Sequence, residues 1–335
     1  MNKYERVRAT LRSQEVDRLA YSFWTHLPEI DLRPDELITA SARFCRRYDL
    51  DLLKSMPNGL YCVEDWGAKC NYADIHHGGV ANVTHSPIQT PLDWESLAFL
   101  DVTKGAFGRE LKHLEGLLNE VGKDVPVLAT IFSPFTIAAK LSRGMHREHA
   151  RIAPESLMQG LSIISEVMAE FARNAIRLGC SGVFFAAQDA NFNHVGPWEY
   201  QRYGEPYDRA VLTAAKAAGG WCNTVHMHGE SIYFDILSRY NVDALNWHIG
   251  ETKPSIADYR KTGGAKPVFG GLQRHHITER NLHAISADLN QAIADSEGRG
   301  LIVAPGCVIR HPVNPETLTQ VAQLIRTHSV CAEMI

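Results

Sequence analysis

The sequence contains no run of lysine and arginine and no CxxC pair. It also has no apolar stretch approaching the roughly 20 residues that span a bilayer. Each absence removes a class of function. With a net charge of −4 and no basic run, nothing favours nucleic acid or an anionic membrane as a partner. The opening, MNKYERVRATLRSQEVDR, reads as a charged amphipathic helix without the apolar centre of a signal peptide, so a cytoplasmic protein is expected. The seven cysteines, at 45, 62, 70, 180, 222, 307 and 331, are odd in number and scattered, which argues against a disulfide framework. Internal repeats, low-complexity segments and a clear linker are also missing, so residues 1–335 are read as one domain.

A chain of 335 residues is long for one domain unless that domain is a barrel, a class that runs to about 250 residues or more. The chain has the rhythm a barrel requires. Short apolar runs fall at 19–27, 52–57, 125–132, 182–188, 221–228, 244–248, 267–272 and 301–307, with helix-length segments such as 155–178 and 207–218 between most of them. Eight runs with interleaved helices predict an α/β fold, a (β/α)8 TIM barrel preceded by an N-terminal helix. A doubly wound open sheet would usually carry a glycine-rich phosphate fingerprint after its first strand, and none is present. Segment 58–97 breaks the rhythm with Trp66, Gly67, Gly78, Gly79, Pro87 and Pro91. It reads as an elaborated loop with a β-hairpin after the second strand, placed over the barrel mouth.

The stretch 221–229, WCNTVHMHG, alternates polar and apolar residues and stops at a glycine. Residues two apart in a strand point the same way, so His226 and His228 project together and Met227 goes to the other side. Two imidazoles at one strand end suit a metal, although a chain with 16 histidines produces some His-x-His by chance. The other runs add weight. They end at His26, Asn58, Gln188 with Asp189, Asn246-Trp247-His248 and Cys307. In barrel enzymes the catalytic groups stand at the C-terminal ends of several strands. Cys307 is a candidate zinc ligand, since zinc takes mixed nitrogen and sulfur sets, and three protein ligands mark a catalytic site. Glu230, directly after HMHG, is a candidate fourth ligand or a support for one. Ser133 with Pro134 reads as a helix N-cap at the mouth, able to face an anion or simply to cap.

Several segments resemble the uroporphyrinogen decarboxylase superfamily: YERVRATLRSQEVDRLAYSFW, IFSPFTIAAKL, GVFFAAQDA followed by YGEPYD, and GLIVAPGCVI with NPETL. The resemblance covers nearly the whole chain in order and implies a single (β/α)8 barrel. True uroporphyrinogen decarboxylases carry an arginine-rich RQAGR segment and a Ser-Asp pair at the end of the second strand. Here those regions read FWTHLPE and KSMPNG, without the arginine and without the acid. The chain is more similar to the corrinoid-linked methyltransferases, whose zinc is held by His-x-Cys and a later Gly-Cys. On that resemblance His226 matches the His, His228 stands where the first Cys is expected, and Cys307 matches the second.

The resulting expectation is a zinc-dependent methyltransferase moving a methyl group between a corrinoid (cobalamin) and a small thiol, ether, amine or folate-type substrate. His226, His228 and Cys307 would be its metal and catalytic residues, with His26, Asn58, Gln188, Asn246 and His248 around the substrate. Its partners would be that small molecule, a corrinoid protein and a second copy of the chain in a homodimer. A decarboxylase of a porphyrinogen or a smaller carboxylated substrate, with His248 as acid or base, is the alternative. A corrinoid- or tetrapyrrole-binding protein with a decayed site is a third reading, against which the polar ring argues.

Overall fold

Residues 127–132 and 182–187 are buried at every position, as expected of parallel strands covered on both faces. The structure, a computed structural model, describes residues 1–72 and 81–328. Its main sheet contains β1 (Ala20–Tyr21), β2 (Leu53–Lys54), β3 (Val127–Phe132) and β4 (Gly182–Ala187). It continues with β5 (Thr224–Met227), β6 (Ala244–Trp247), β7 (Val268–Leu272) and β8 (Leu301–Pro305). The order is β1-β8-β7-β6-β5-β4-β3-β2, and the paired strands are parallel. The two ends of that order meet where the Asp51 N–H donates to Tyr21 O at 3.1 Å and Ser22 Oγ donates to Leu52 O at 2.8 Å. The chain is the expected (β/α)8 barrel.

Side-chain alternation divides the apolar residues into two layers. Trp24, Leu52, Leu128, Phe184, Phe269 and Ile302 pack together inside the barrel. Val183, Val225, Met227, Leu245 and Val303 join the larger core beneath the outer helices. The N-terminal helix α1 (Lys3–Leu11) starts from a capping box in which Asn2 and Glu5 bond each other's backbone N–H groups. It is tied to the barrel seam by charge: Arg6 and Arg18 both reach the fully buried Asp51, at 2.7 and 2.6 Å. The carboxylate of Asp51 also accepts the Tyr21 N–H at 3.1 Å.

Strands 1 and 2 are shorter than the apolar runs that announced them. The 19–27 run forms a two-residue strand plus an isolated bridge from Thr25 to Ile309. The 52–57 run forms Leu53–Lys54. Beyond them single bonds continue the pairing, from the Ser22 N–H to Val303 O at 3.0 Å and from the Ser55 N–H to Leu128 O at 2.9 Å. The long loop after β2 carries a short helix (Tyr61–Glu64), an antiparallel hairpin of Lys69–Asn71 with Asn82–His85, and a 3₁₀ turn (Pro91–Ser96). The hairpin expectation therefore holds, while Gly78 and Gly79 lie outside the described residues. Ala81, Asn82 and Val83 line the cavity at the mouth, which places this loop over the site.

Candidate metal centre

Alternation along β5 aims His226 into the barrel, where its ring stacks on Phe184 (centroids 5.4 Å apart), while Met227 packs outward. His228, two residues on, returns to the same side just past the strand end. Cys307 follows β8, which enters from the opposite side of the mouth. Three donor atoms converge: His226 Nε2 lies 3.4 Å from His228 Nδ1, and Cys307 Sγ lies 3.7 and 3.5 Å from these two nitrogens.

Those distances can be set against the edges of a tetrahedral zinc site. Nitrogen ligands at about 2.0–2.1 Å and sulfur at about 2.3 Å on a tetrahedral ion give edges of roughly 3.3 Å between nitrogens and roughly 3.5 Å from nitrogen to sulfur. The observed triangle matches them. As a hydrogen bond the 3.4 Å contact between two ring nitrogens is long.

The neighbours select the right lone pairs. Asn246, fully buried and opposite His226 in the β5–β6 register, donates through Nδ2 to Phe269 O (2.8 Å) and Pro305 O (3.3 Å). Its Oδ1 must then be the atom that meets His226 Nδ1 at 2.5 Å. The proton sits on Nδ1, and Nε2 presents its lone pair to the cluster. Burial pushes the His226 pKa down to about 4, so the ring is neutral near pH 7. Burial would raise the Cys307 thiol, but the surrounding imidazoles of His226, His228 and His248 hold it well below its ordinary value. Neutral imidazole and thiolate are the forms a zinc ion takes.

His248 belongs to the same group, since its ligand atom and those of His226, His228 and Cys307 all lie within 4.8 Å of one another. The Gly229 N–H donates to its Nε2 at 3.3 Å and its Nδ1 faces Glu251 Oε2 at 3.4 Å. Burial opposes its cation, yet hydrogen bonds to Cys307 and Glu251 raise its pKa to about 9. Gly306 makes the approach of β8 to β6 possible: a Cβ there would stand 2.9 Å from both His248 Cα and Trp247 O. No larger residue fits without a shift of the backbone on one side or the other.

Beside the cluster lies a cavity of about 660 Å³, lined by His226, His228 and Cys307 on one wall and by Trp24, Phe184 and Phe132 elsewhere. Of the residues expected around a substrate, His26 and Gln188 line it. Asn58 does not: its amide is consumed by Glu64 (3.0 Å), Tyr72 (3.2 Å) and the Leu60 N–H (3.0 Å), which fix the loop after β2. Asn246 stands behind His226, His248 is itself one of the clustered donors, and neither lines the cavity. Glu230 is exposed and outside the cluster, and Glu251 occupies the supporting position expected of it. Asp189 pairs with His194 at 3.0 Å, and Trp247 Nε1 donates to Pro254 O in the outer layer. Ser133 does cap its helix, accepting the Phe135 N–H at 3.2 Å while donating to the buried Asp208 at 2.7 Å.

Sequence reasoning missed the cations of the cavity: Lys54, Lys140, Arg274 and Arg310 line it, and among the described residues no aspartate or glutamate does. Lys54 left a signal, a lysine inside the apolar run LLKSMP. Arg274 opens a short helix and Arg310 sits in a loop, and neither left a signal.

The family model described as Uroporphyrinogen decarboxylase (URO-D) matches residues 4–328. A curated protein, Methylcobamide:CoM methyltransferase MtbA of Methanosarcina acetivorans, is 21% identical over 124 residues. That stretch is 37% of this chain and spans 37% of the length of MtbA. Among solved structures, a methyltransferase from Methanosarcina mazei superposes with a TM-score of 0.84 at 16% identity, covering 97% of this chain and 98% of the other. A B12-independent methionine synthase from Shewanella sp. W3-18-1 gives a TM-score of 0.58 at 13% identity, covering 92% and 98%. At these identities the two structures share the fold with this chain.

Proposed function

The chain belongs to the uroporphyrinogen decarboxylase family, and from that premise we propose that it is a zinc-dependent methyltransferase working between a corrinoid and a small substrate. The observation that carries this reading is the triangle of His226 Nε2, His228 Nδ1 and Cys307 Sγ, with edges of 3.4, 3.5 and 3.7 Å. A zinc ion there would supply Lewis acidity, lowering the pKa of a thiol substrate or polarising the leaving atom of an ether or amine. Two nitrogens and one sulfur leave the site less negative than one nitrogen and two sulfurs, which strengthens that acidity. The similarity to MtbA, whose name includes a methylcobamide, supports a corrinoid as methyl carrier.

The protein's own groups have separate tasks in this reading. Asn246 fixes the tautomer of His226, and Glu251 with the Gly229 N–H holds the His248 ring beside Cys307. Trp24 and Phe184 form an apolar wall beside His226, while His26 and Gln188 offer polar contacts to the substrate. The test is spectroscopic: zinc-loaded protein with methylcob(III)alamin and a small thiol should convert the methylcorrinoid absorbance to that of cob(I)alamin under anaerobic conditions. H228A should not.

A decarboxylase is the second reading, favoured by the four cations that line the cavity. Anaerobic incubation with uroporphyrinogen separates the two. Under the methyltransferase reading no coproporphyrinogen forms above background.

A further inference from the structure

Lys54 ends β2 with its side chain in the cavity, and only 4% of the residue is exposed. An ammonium has three donors. Two of those on Lys54 go to weak partners, Ser55 O at 3.3 Å and Met56 Sδ at 3.0 Å. Around it are aromatic faces, Phe184 at 4.8 Å and Trp24 at 6.0 Å from the nitrogen. No carboxylate contacts it among the described residues. A buried ammonium with no hydrogen-bonded counter-ion is a standing cost to the fold, normally relieved by pairing or by loss of the proton. Burial lowers its pKa to about 7, and the negative charge of Cys307 opposes that only in part.

The other cations of the cavity are placed differently. Arg274 leans on Glu251 at 3.8 Å, Lys140 donates to Gly59 O at 2.9 Å over the Phe132 ring, and Arg310 is exposed. Lys54 alone is enclosed, inward-facing and held only by weak acceptors.

We propose that Lys54 is a specificity-determining residue that binds the acidic end of the substrate, a small molecule with an oxyanion at one end and a metal-seeking thiol at the other. The thiol end rests on the methyltransferase reading, whereas the acidic end rests on Lys54 alone. An oxyanion entering the apolar cage would accept the remaining N–H and supply the missing charge in a setting that screens it little. Size follows from the cavity: at about 660 Å³, between Lys54 and the cluster, it fits a small bifunctional acid.

The experiment compares zinc-loaded wild-type protein with Lys54→Met, which keeps the stem's bulk and removes a buried charge. Binding of 3-mercaptopropionate, 2-mercaptoethanesulfonate and uncharged 2-mercaptoethanol is measured by calorimetry. The two acids distinguish carboxylate from sulfonate. The proposal predicts that K54M weakens whichever acid binds by about tenfold or more. Mercaptoethanol should change less than twofold. Equal weakening of all three, or unchanged acid binding, overturns it. Propionate and ethanesulfonate, which have no thiol, are titrated in parallel. If they bind in a Lys54-dependent way while no thiol binds, the assignment of Lys54 stands and the methyltransferase reading falls. If no acid binds the wild-type protein, the assignment falls.

Discussion

Asn246 determines which nitrogen His226 can offer. Its Nδ2 is committed to two backbone carbonyls, so its Oδ1 must accept from His226 Nδ1 and the lone pair of Nε2 faces Cys307. Replacing Asn246 with Leu removes that constraint and leaves Phe269 O and Pro305 O without their donor. The protein should still fold, because the site crowns the core. Zinc affinity should fall about 10- to 100-fold, as when other groups that orient a metal ligand are lost, and competition with a chromophoric chelator measures it.

His228 supplies a donor without building the barrel. His228→Ala should lose zinc from the purified protein while its far-ultraviolet circular dichroism stays that of the wild type. His228→Cys should retain zinc, since the thiolate replaces the imidazole in a set zinc accepts. Metal content of the two variants, prepared in parallel, checks both outcomes.

Gly306 permits the close passage of β8 and β6. With a Cβ 2.9 Å from His248 Cα and Trp247 O, Gly306→Ala must shift the backbone of residue 306 or of residues 247–248, on either side of the donor cluster. Overpacking of this kind costs about 1–3 kcal/mol. The expected result is a modest drop in melting temperature with a disproportionate loss of zinc. Full zinc occupancy in a destabilised G306A would show that the cluster tolerates movement of β8.

The pH dependence of Lys54 follows from the sign of its shift. Its folded pKa of about 7 lies below the ordinary 10.5, so between those values the unfolded chain binds more protons. Stability contributed through this group therefore rises with pH across that window. Lys54→Met removes the effect. The variant should exceed the wild type most at pH 7 and below, by up to about 4–5 kcal/mol at 1.36 kcal/mol per pH unit. The difference should shrink towards pH 10. Denaturant unfolding of both proteins at pH 7 and 9.5 gives the comparison.

How much of this was readable in advance differs by kind of residue. Alternation is a local property, so the shared direction of His226 and His228 followed from their spacing, and the barrel followed from eight apolar runs. The partner of Cys307 across the mouth followed from strand ends sharing one face. Asn58 and His248 were different. Each is a polar residue at a strand end, yet the next few residues turn Asn58 into a loop brace, while the register of β6 against β5 brings His248 into the donor cluster and off the cavity wall. Such outcomes depend on contacts between distant segments, which composition and period do not encode. Lys54 was legible in principle, because a lysine inside a buried strand calls for a reason.

The central claim is that His226, His228 and Cys307 hold one zinc ion. X-ray absorption at the zinc edge tests it most directly, on protein purified at neutral pH. The expected result is about one zinc per chain, with nitrogen scatterers near 2.0–2.1 Å and a sulfur scatterer near 2.3 Å that disappears in C307S. A protein that binds no zinc at neutral pH, or zinc surrounded by oxygen alone, would contradict it.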